Sequence, residues 1–393
     1  MITSYLQIGG SLSGLMCGIV LVHAGHKVTI IEKDTDERQS HMAGVALGSD
    51  ADQYLASHDR MVNAFSHRSL RVQALNADET IRIFVNGRRD ITSWDTYYFR
   101  LRAILDHNNQ QQTQTMADLV IGADGPDSFV RSKYLPTTKR QYVGYIAWRG
   151  TVAETEVSAS TRETSRRSVT VHMMHRHHCI MYTIPGANGS LESGERLLNF
   201  LWYTNESQGA LQDILKDRID GRKHHNLVPA GRVREEVWNA QIGYTKSVPL
   251  PTPFLEVMLK IRRPFIQVIT EFCSPRAAFE DGRVLLVGDA LSLFRPHTAF
   301  SATQAAFHAS RVEEYVSGKI SLQAWEVRVL RYSCLHWAQS IWWGKFYQDH
   351  MSIAVLAGFR YWWYCGTDRV LSWWNMEDPL LRTSSNRVEE YDW

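Results

Sequence analysis

The sequence predicts an α/β fold, and three observations predict it. A glycine-rich strand–turn–helix opens the chain. Two further apolar strands each end in a Gly/Asp turn before a helix, and a long β-rich block separates those two turns. Together they give a Rossmann-like domain that is discontinuous in sequence. An inserted, mostly antiparallel β domain and a C-terminal helical layer complete the expected architecture.

The first element carries most of the argument. Residues 5–8 form a short apolar run, followed at once by Gly9-Gly10-Ser11-Leu12-Ser13-Gly14. Residues 15–24 place apolar side chains at helical spacing, Gly25 stops that helix, and residues 27–31 form a second β-branched run ending in Glu32 and Lys33. This is the layout of a dinucleotide-binding βαβ unit. Gly9 suits the sharp turn, Gly10 and Ser11 let backbone approach a pyrophosphate, and Gly14 lets helix lie close on strand. The helix N-terminus offers free N–H groups to phosphate. Glu32 stands where a carboxylate accepts both ribose hydroxyls, which selects FAD or NAD over NADP.

The remaining elements follow in order. Residues 33–60 are polar with breaks at Gly44 and Gly48, suiting a loop and short helix over the nucleotide. Residues 81–85 with Asn86-Gly87 read as a strand ending in a hairpin turn. Residues 94–105 read as a helix with Tyr97, Tyr98, Leu101, Ile104 and Leu105 on one face, punctuated by Arg100 and Arg102. The tract at 107–114 reads as an exposed polar loop. A strand at 119–121 then runs into Gly122-Ala123-Asp124-Gly125, and a helix from Ser128 carries Arg131. Residues 141–153, 169–183 and 197–203 are β-type runs, with a helical piece at 253–259. Gly282 to Ala290 is again an apolar strand ending in Gly-Asp, continuing through Arg295-Pro-His297 to a helix at Ser301–Val316. Everything after 320 reads as helical and aromatic, and most of the 13 tryptophans lie there.

Composition excludes several classes. A net charge of +2 gives no electrostatic case for nucleic acid. Five scattered cysteines without a C-x-x-C read as buried thiols of a reducing compartment. With no basic, apolar leader before the first strand, the expectation is a cytoplasmic protein. The apolar stretch 351–359 is too short to cross a bilayer. Paired tryptophans without a basic face favour a core-packing or dimer-facing layer over a membrane anchor. In His172-Met-Met-His175-Arg-His177-His178, strand alternation puts His172 and His178 on one face and splits the set, so no metal site is expected.

Three turns in this order resemble the single-component (group A) flavoprotein monooxygenases typified by para-hydroxybenzoate hydroxylase. Gly144-Tyr-Ile-Ala-Trp-Arg-Gly150, Pro264-Phe-Ile-Gln267 and Arg295-Pro-His297 look most like the branch that includes 2,6-dihydroxypyridine 3-hydroxylase. The resemblance implies an FAD-binding domain formed by 1–140 and 273–320, shortened near 106–117. It implies a substrate domain at 141–272 and leaves 321–393 as the helical, aromatic-rich region. The Gly9–Gly14 turn and Glu32 would hold the ADP half of FAD, with Lys33, Gly44 and Val45 alongside. Arg102 matches the arginine near the phosphate and ribitol side. Asp124 and Arg131 match the motif associated with FAD and NAD(P)H, Asp124 chiefly through the local backbone. Asp289 matches the aspartate on the ribitol hydroxyls, Pro296 lies beside the isoalloxazine, and Ser301 and Ala302 open the helix aimed at its pyrimidine edge.

The implied activity is a monooxygenase. NADPH or NADH reduces FAD, O2 gives a flavin C4a-hydroperoxide, and a small aromatic or heteroaromatic metabolite is hydroxylated or epoxidised. The apolar middle domain would keep that species dry. His297 is the first candidate for deprotonating substrate, His172 is a second, and Tyr203 and Trp148 are pocket-wall candidates. The chain departs from the family in the short interval between Arg102 and Gly122, where relatives carry extra strands. A flavin-binding protein without turnover is therefore the alternative reading. His308 also stands where an aspartate is common, and Ser292 where relatives carry histidine.

Overall fold

The structure is a computed structural model that describes residues 4–33, 43–106 and 117–374. The loop expected at 107–114, part of the stretch 33–60, and the chain beyond 374 lie outside the described residues.

A parallel βαβ unit begins the chain: β1 (Ser4–Ile8), α1 (Leu12–His23) and β2 (Lys27–Ile31). Helix α1 is buried from Leu12 to Leu21 except at Ser13, because neighbouring elements cover it on several sides and its residues are apolar nearly all round. Next come β3 (Gly44–Leu47), α2 (Ser49–His58), β4 (His67–Leu75), β5 (Ile81–Ser93) and α3 (Trp94–Asp106). The expected hairpin turn at Asn86-Gly87 is not a turn, since β5 runs through it. The chain reverses at 76–80 instead, where Asn76 N donates to Thr80 O (2.9 Å) and Thr80 N to Asp78 Oδ1 (3.0 Å). Opposite Gly87 the β4–β5 register slips between Ser69 and Arg71, so the Asn-Gly pair marks a bulge.

Strand β6 (Leu119–Gly122) and α4 (Phe129–Tyr134) follow, the helix capped by Ser128 Oγ accepting from Arg131 N. The middle block is β7 (Gln141–Ala153), α5 (Ala159–Arg166), β8 (Ser168–Met174), β9 (His177–Ile184), β10 (Leu197–Asn205), α6 (Gln208–Ile214), β11 (Leu227–Val228), α7 (Glu235–Tyr244), α8 (Thr252–Lys260) and β12 (Phe265–Cys273). The chain then returns through β13 (Ala278–Phe279), β14 (Val284–Leu286), β15 (Ser292–Leu293) and α9 (Ser301–Val316). It continues in two long helices, α10 (Leu322–Gln348) and α11 (Met351–Trp374).

Two sheets organise these elements. The smaller has the order β13-β14-β6-β1-β2, parallel from β14 to β2. Strand β14 therefore completes a sheet begun at the other end of the chain, as a discontinuous Rossmann-like unit requires. The larger runs β11-β12-β7-β10-β9-β8-β4-β5-β3, with β15 on β12. The strands of 44–93 hydrogen-bond into this sheet, through the parallel pair β4–β8, and not into the smaller one. Between α3 and β6 the described residues contain no strand. One core surrounds α1, α9 and the small sheet. The other fills the space between the outer face of the large sheet and α6–α8, around Phe200, Trp202, Phe254 and Trp238. Burying each such ring contributes roughly 1.5–3 kcal/mol.

Candidate functional site

The three glycine turns meet. Ala123 N donates to Ile8 O (2.8 Å) and Val287 N to Gly122 O (3.0 Å), so the ends of β1, β6 and β14 stand side by side. Gly288 has φ +58°, and a Cβ there would strike the Ser13 hydroxyl. Only glycine lets the third turn lie on the first. Asp124 accepts from Ser128 Oγ (2.5 Å), Phe129 N (2.7 Å) and Val130 N (3.2 Å), which fastens α4 to the second turn. Buried Arg131 donates to Ala290 O (2.9 Å) and Pro126 O (2.6 Å) and lies 3.9 Å over the Phe272 ring. Asp124 and Arg131 thus lock the turns together. His308, absent from the sequence reading as a site group, does the same from α9. Its Nδ1 accepts from Gly288 N (2.9 Å), and burial holds its pKa down at about 3.

At this junction the Asp289 carboxyl has no hydrogen-bond donor among the described residues, and burial pushes its pKa up to about 6 against the nearby Arg140. Around it, α1 and α9 both begin without a side-chain cap and without an acid in the first turn. Their N-termini are open to an anion or an electron-rich ring edge. Glu32 accepts from Gly10 N (2.7 Å) and Lys33 N (2.9 Å), so its carboxylate is fixed at the turn. Gly48 N donates to Thr303 Oγ1 (3.1 Å), bringing β3 to the start of α9. Gly44 in turn lies flat on Tyr182, where any Cβ would meet the ring. Pro296 and His297 form a single helical turn before Ser301, which is exposed, and Ala302, which is buried. Arg102 sits on the exposed side of α3 with Nη1 3.5 Å from Tyr98 OH.

The inner face of the large sheet closes over this segment. Tyr203 pairs with Ala147 and His178, and Leu201 with Arg149 and Ile180. Hence Tyr145, Arg149, Tyr203 and His178 share one face. Tyr203, His178 and Tyr347 of α10 form a stack, with centroids 4.5 and 4.2 Å apart and planes within 20°. His297 sits beside it, 5.0 Å from Tyr203 and 5.1 Å from His178, with Nε2 2.8 Å from Tyr145 OH. Burial, with Arg295 nearby, holds the His297 pKa down at about 3, and burial also lowers that of His178. Both rings are neutral near pH 7. Taking Tyr145 as the donor to Nε2, the His297 proton sits on Nδ1. Glu271 fixes Arg295 through bonds of 2.7 and 3.1 Å, and Arg295 lies against the Tyr145 ring. Among the buried polar atoms here without a hydrogen-bond partner are His297 Nδ1, His178 Nε2 and Arg149 Nε.

Two sequence expectations are corrected. His172 does not share a face with His178. Residues 168–184 are a hairpin, not one strand, and its two-residue turn at His175-Arg176 pairs His172 with Cys179 and Met173 with His178. An even residue on β8 therefore faces an odd one on β9. His172 points to the outer core, where Nδ1 meets Leu75 O (2.7 Å) and the ring packs near Phe254. Trp148 is likewise on the outer face, paired with Trp202 and donating to Thr204 Oγ1 (2.8 Å). Residues the sequence reading missed are His178, Tyr145, Tyr182, Arg149 and Tyr347. Alternation along Tyr145-Ile-Ala-Trp-Arg149 would have found two of them.

The topology, with three turns meeting at the Asp289 carboxyl, is the fold of FAD-binding monooxygenases of the para-hydroxybenzoate hydroxylase type. The family described as "FAD binding domain-like" matches residues 142–271. The 2,6-dihydroxypyridine 3-monooxygenase of Paenarthrobacter nicotinovorans is 28% identical over 358 residues, 82% of this chain and 86% of that protein. The structure of 2,6-dihydroxypyridine-3-hydroxylase from Arthrobacter nicotinovorans superposes with a TM-score of 0.80 at 25% identity, covering 89% and 93% of the two chains. Klebsiella pneumoniae HpxO, complexed with FAD and uric acid, gives a TM-score of 0.69 at 14% identity, covering 93% and 92%. A salicylate hydroxylase substrate complex gives 0.65 at 14%, covering 88% and 89%. The chain is an FAD-dependent monooxygenase, similar to the group A enzymes of the branch represented by 2,6-dihydroxypyridine 3-hydroxylase. FAD is its cofactor and NAD(P)H its reductant. The residues fit FAD, because a ligand hydroxyl supplies the donor that the Asp289 carboxyl lacks. The alternative of a flavin-binding protein without turnover is not favoured.

Proposed function

We propose that this enzyme hydroxylates a small, electron-rich heteroaromatic ring bearing at least two polar substituents, held beside His297 and the inner sheet face. The set of partnerless buried atoms around the Tyr203–His178–Tyr347 stack carries this reading. A buried polar atom left unpaired costs roughly 1–3 kcal/mol. Gathered between the inner sheet face and the His297 segment, such atoms make a site for a polar planar ligand. The rings supply the flat apolar walls, and the two neutral imidazoles each present an N–H donor, His297 Nδ1 and His178 Nε2, to ring oxygens or nitrogens. The 2,6-dihydroxypyridine named for the relatives is a ring of this kind.

The Gly9–Gly14 turn and Glu32 would bind the ADP half of FAD, and Asp289 its ribitol hydroxyls. Arg102, Lys33, Gly44, Val45, Pro296, Ser301 and Ala302 would flank the remainder, while Asp124 and Arg131 act through the fold. Bound FAD supplies electron transfer from NAD(P)H and activation of O2. The protein's own part is to orient the ring, exclude water and hold its protons. His297 Nδ1 is placed to donate to a ring oxygen and stabilise its anionic form. With a pKa near 3 it is a hydrogen-bond donor and not a free proton acceptor. Five unbridged thiols, including Cys273 and Cys334 only 3.6 Å apart, support a reducing compartment such as the cytoplasm. Among the described residues no helix is long and apolar enough to cross a membrane.

The test is NADPH oxidation by the FAD-loaded protein with a panel of mono- and dihydroxylated pyridines and benzenes under isotopically heavy O2. Stimulated oxidation with one labelled oxygen in the product supports the reading. Oxidation that no ring stimulates, or peroxide as the sole product with every ring, refutes it.

A further inference from the structure

The thiols of this chain fall into two kinds. Cys17 and Cys179 are sealed in the two cores, where burial raises the pKa of both, that of Cys17 to about 12. Such thiols are inert. Cys273 and Cys334 are placed differently. Cys273 ends β12, Cys334 lies on α10, each is only partly buried, and their sulfurs stand 3.6 Å apart. The Cys273 S–H donates to Cys334, and the Arg360 guanidinium lies nearby. Both hold the Cys334 pKa below its ordinary value against the opposing effect of burial. Arg360 is itself kept in place over the Trp337 ring of α10, 4.9 Å from its centroid. A sulfur that favours the thiolate, with a second thiol in contact, is the arrangement of a peroxide-sensitive cysteine and its resolving partner.

We propose that Cys334 and Cys273 are a modification site, a dithiol that hydrogen peroxide oxidises to a reversible disulfide tying β12 to α10. The Cys334 thiolate attacks one peroxide oxygen, the O–O bond breaks, and hydroxide leaves and takes up the proton that Cys334 had shed. The Cys273 sulfur then displaces the hydroxyl of the Cys334 sulfenic acid, and its own proton leaves with that hydroxyl as water. Two thiols lose two electrons, one peroxide gains them, and two waters form. The oxidant is the by-product of O2 activation when water enters the site. The proposal thus rests on the monooxygenase activity for its oxidant and not on which ring is hydroxylated. The sulfurs must close to the disulfide length of about 2.05 Å, a shift within reach of χ1 rotation at both residues. The bridge spares Cys334 from the sulfinic and sulfonic acids, which thiol reductants do not reverse. It also falls between two contacts that hold the site, Glu271 on Arg295 and Ser333 Oγ on His308 Nε2 at 3.3 Å. It therefore pins α10, which carries Tyr347, to the strand that positions Arg295.

The test exposes the FAD-loaded full chain to a small molar excess of hydrogen peroxide, removes the excess with catalase, alkylates the unfolded chain and maps its peptides by mass. Wild type should yield a Cys273–Cys334 cross-linked peptide, with both thiols closed to alkylation until dithiothreitol is added and with Cys17 and Cys179 alkylated as before treatment. Cys273→Ser keeps the size of the side chain but removes the resolving sulfur. In that variant Cys334 should pass on to sulfinic or sulfonic acid, which dithiothreitol does not restore. Wild-type protein in which Cys273 and Cys334 are still alkylated after peroxide overturns the proposal, as does Cys334 bridged to another cysteine or to a second chain. Equal loss of Cys334 to sulfinic acid in wild type and in Cys273→Ser overturns it too. If Cys273→Ser does not load FAD, the wild-type peptide map decides the question.

Discussion

Acidification should destabilise this protein well above the range where its carboxylates titrate. His297 and His308 have folded pKa values near 3, against about 6.5 in an unfolded chain. A group whose folded pKa is depressed lends stability above its unfolded pKa and loses it as pH falls toward the folded value. Between pH 7.5 and 5.5 each imidazole therefore removes about 1.4 kcal/mol, close to 2.8 for the pair. Asp289 works in the opposite sense. Its folded pKa of about 6 exceeds the unfolded 3.8, so it takes up a proton on acidification and returns about 0.8 kcal/mol. The net loss from these three groups is about 2 kcal/mol, and buried His178 and His336 add to it in the same direction. Against a typical stability of 5–15 kcal/mol this is a large fraction. Urea unfolding at fixed FAD, followed by tryptophan fluorescence at half-unit steps of pH, measures it. The midpoint should fall between pH 6.5 and 5.5, and His308→Gln should flatten the slope. A midpoint constant down to pH 5 would refute the burial of neutral imidazoles.

Other outcomes follow from the same contacts. Asp289→Ala should lower flavin content of the purified protein, read from the visible absorbance per chain. Tyr145→Phe removes the one hydrogen bond the His297 ring makes among the described residues, a loss of roughly 1–3 kcal/mol that should lower kcat/KM for the ring substrate by about 5- to 150-fold. Flavin content should be unchanged. His172→Ala should lower thermal stability through the lost Leu75 O bond and packing on Phe254, with KM for the ring substrate unaltered. Arg131→Met should lower FAD occupancy and thermal stability together, because the guanidinium ties α4 to the Asp289 turn.

What the sequence made legible was local. Each strand-to-helix turn announced itself by glycine and aspartate at a fixed offset, and the meeting of Gly288 with Ser13 follows once all three lie at strand ends of one parallel sheet. What stayed hidden depended on parity. A two-residue reversal at His175-Arg176 leaves no glycine or proline in its turn, so 168–184 looked like one strand and the wrong histidine was aimed at the site. Trp148 was misplaced on its own strand, where alternation with Tyr145 and Arg149 turns it to the outer face. Asn86-Gly87 carried a strong turn signal but sits in a bulge, because the pairing of β4 with β8 holds β5 extended alongside. Tyr347 could not have been found from the sequence. Its place beside His178 is set by how α10 crosses the end of β9, which no periodicity encodes.

The central claim is that His178 and His297 read the substrate beside the flavin. It is tested most directly by the change in the flavin absorbance spectrum on titrating 2,6-dihydroxypyridine into the FAD-loaded protein. The account predicts a saturable change in wild type, and its loss in His178→Leu with His297→Leu at undiminished flavin content. An unchanged titration in that double variant would contradict it.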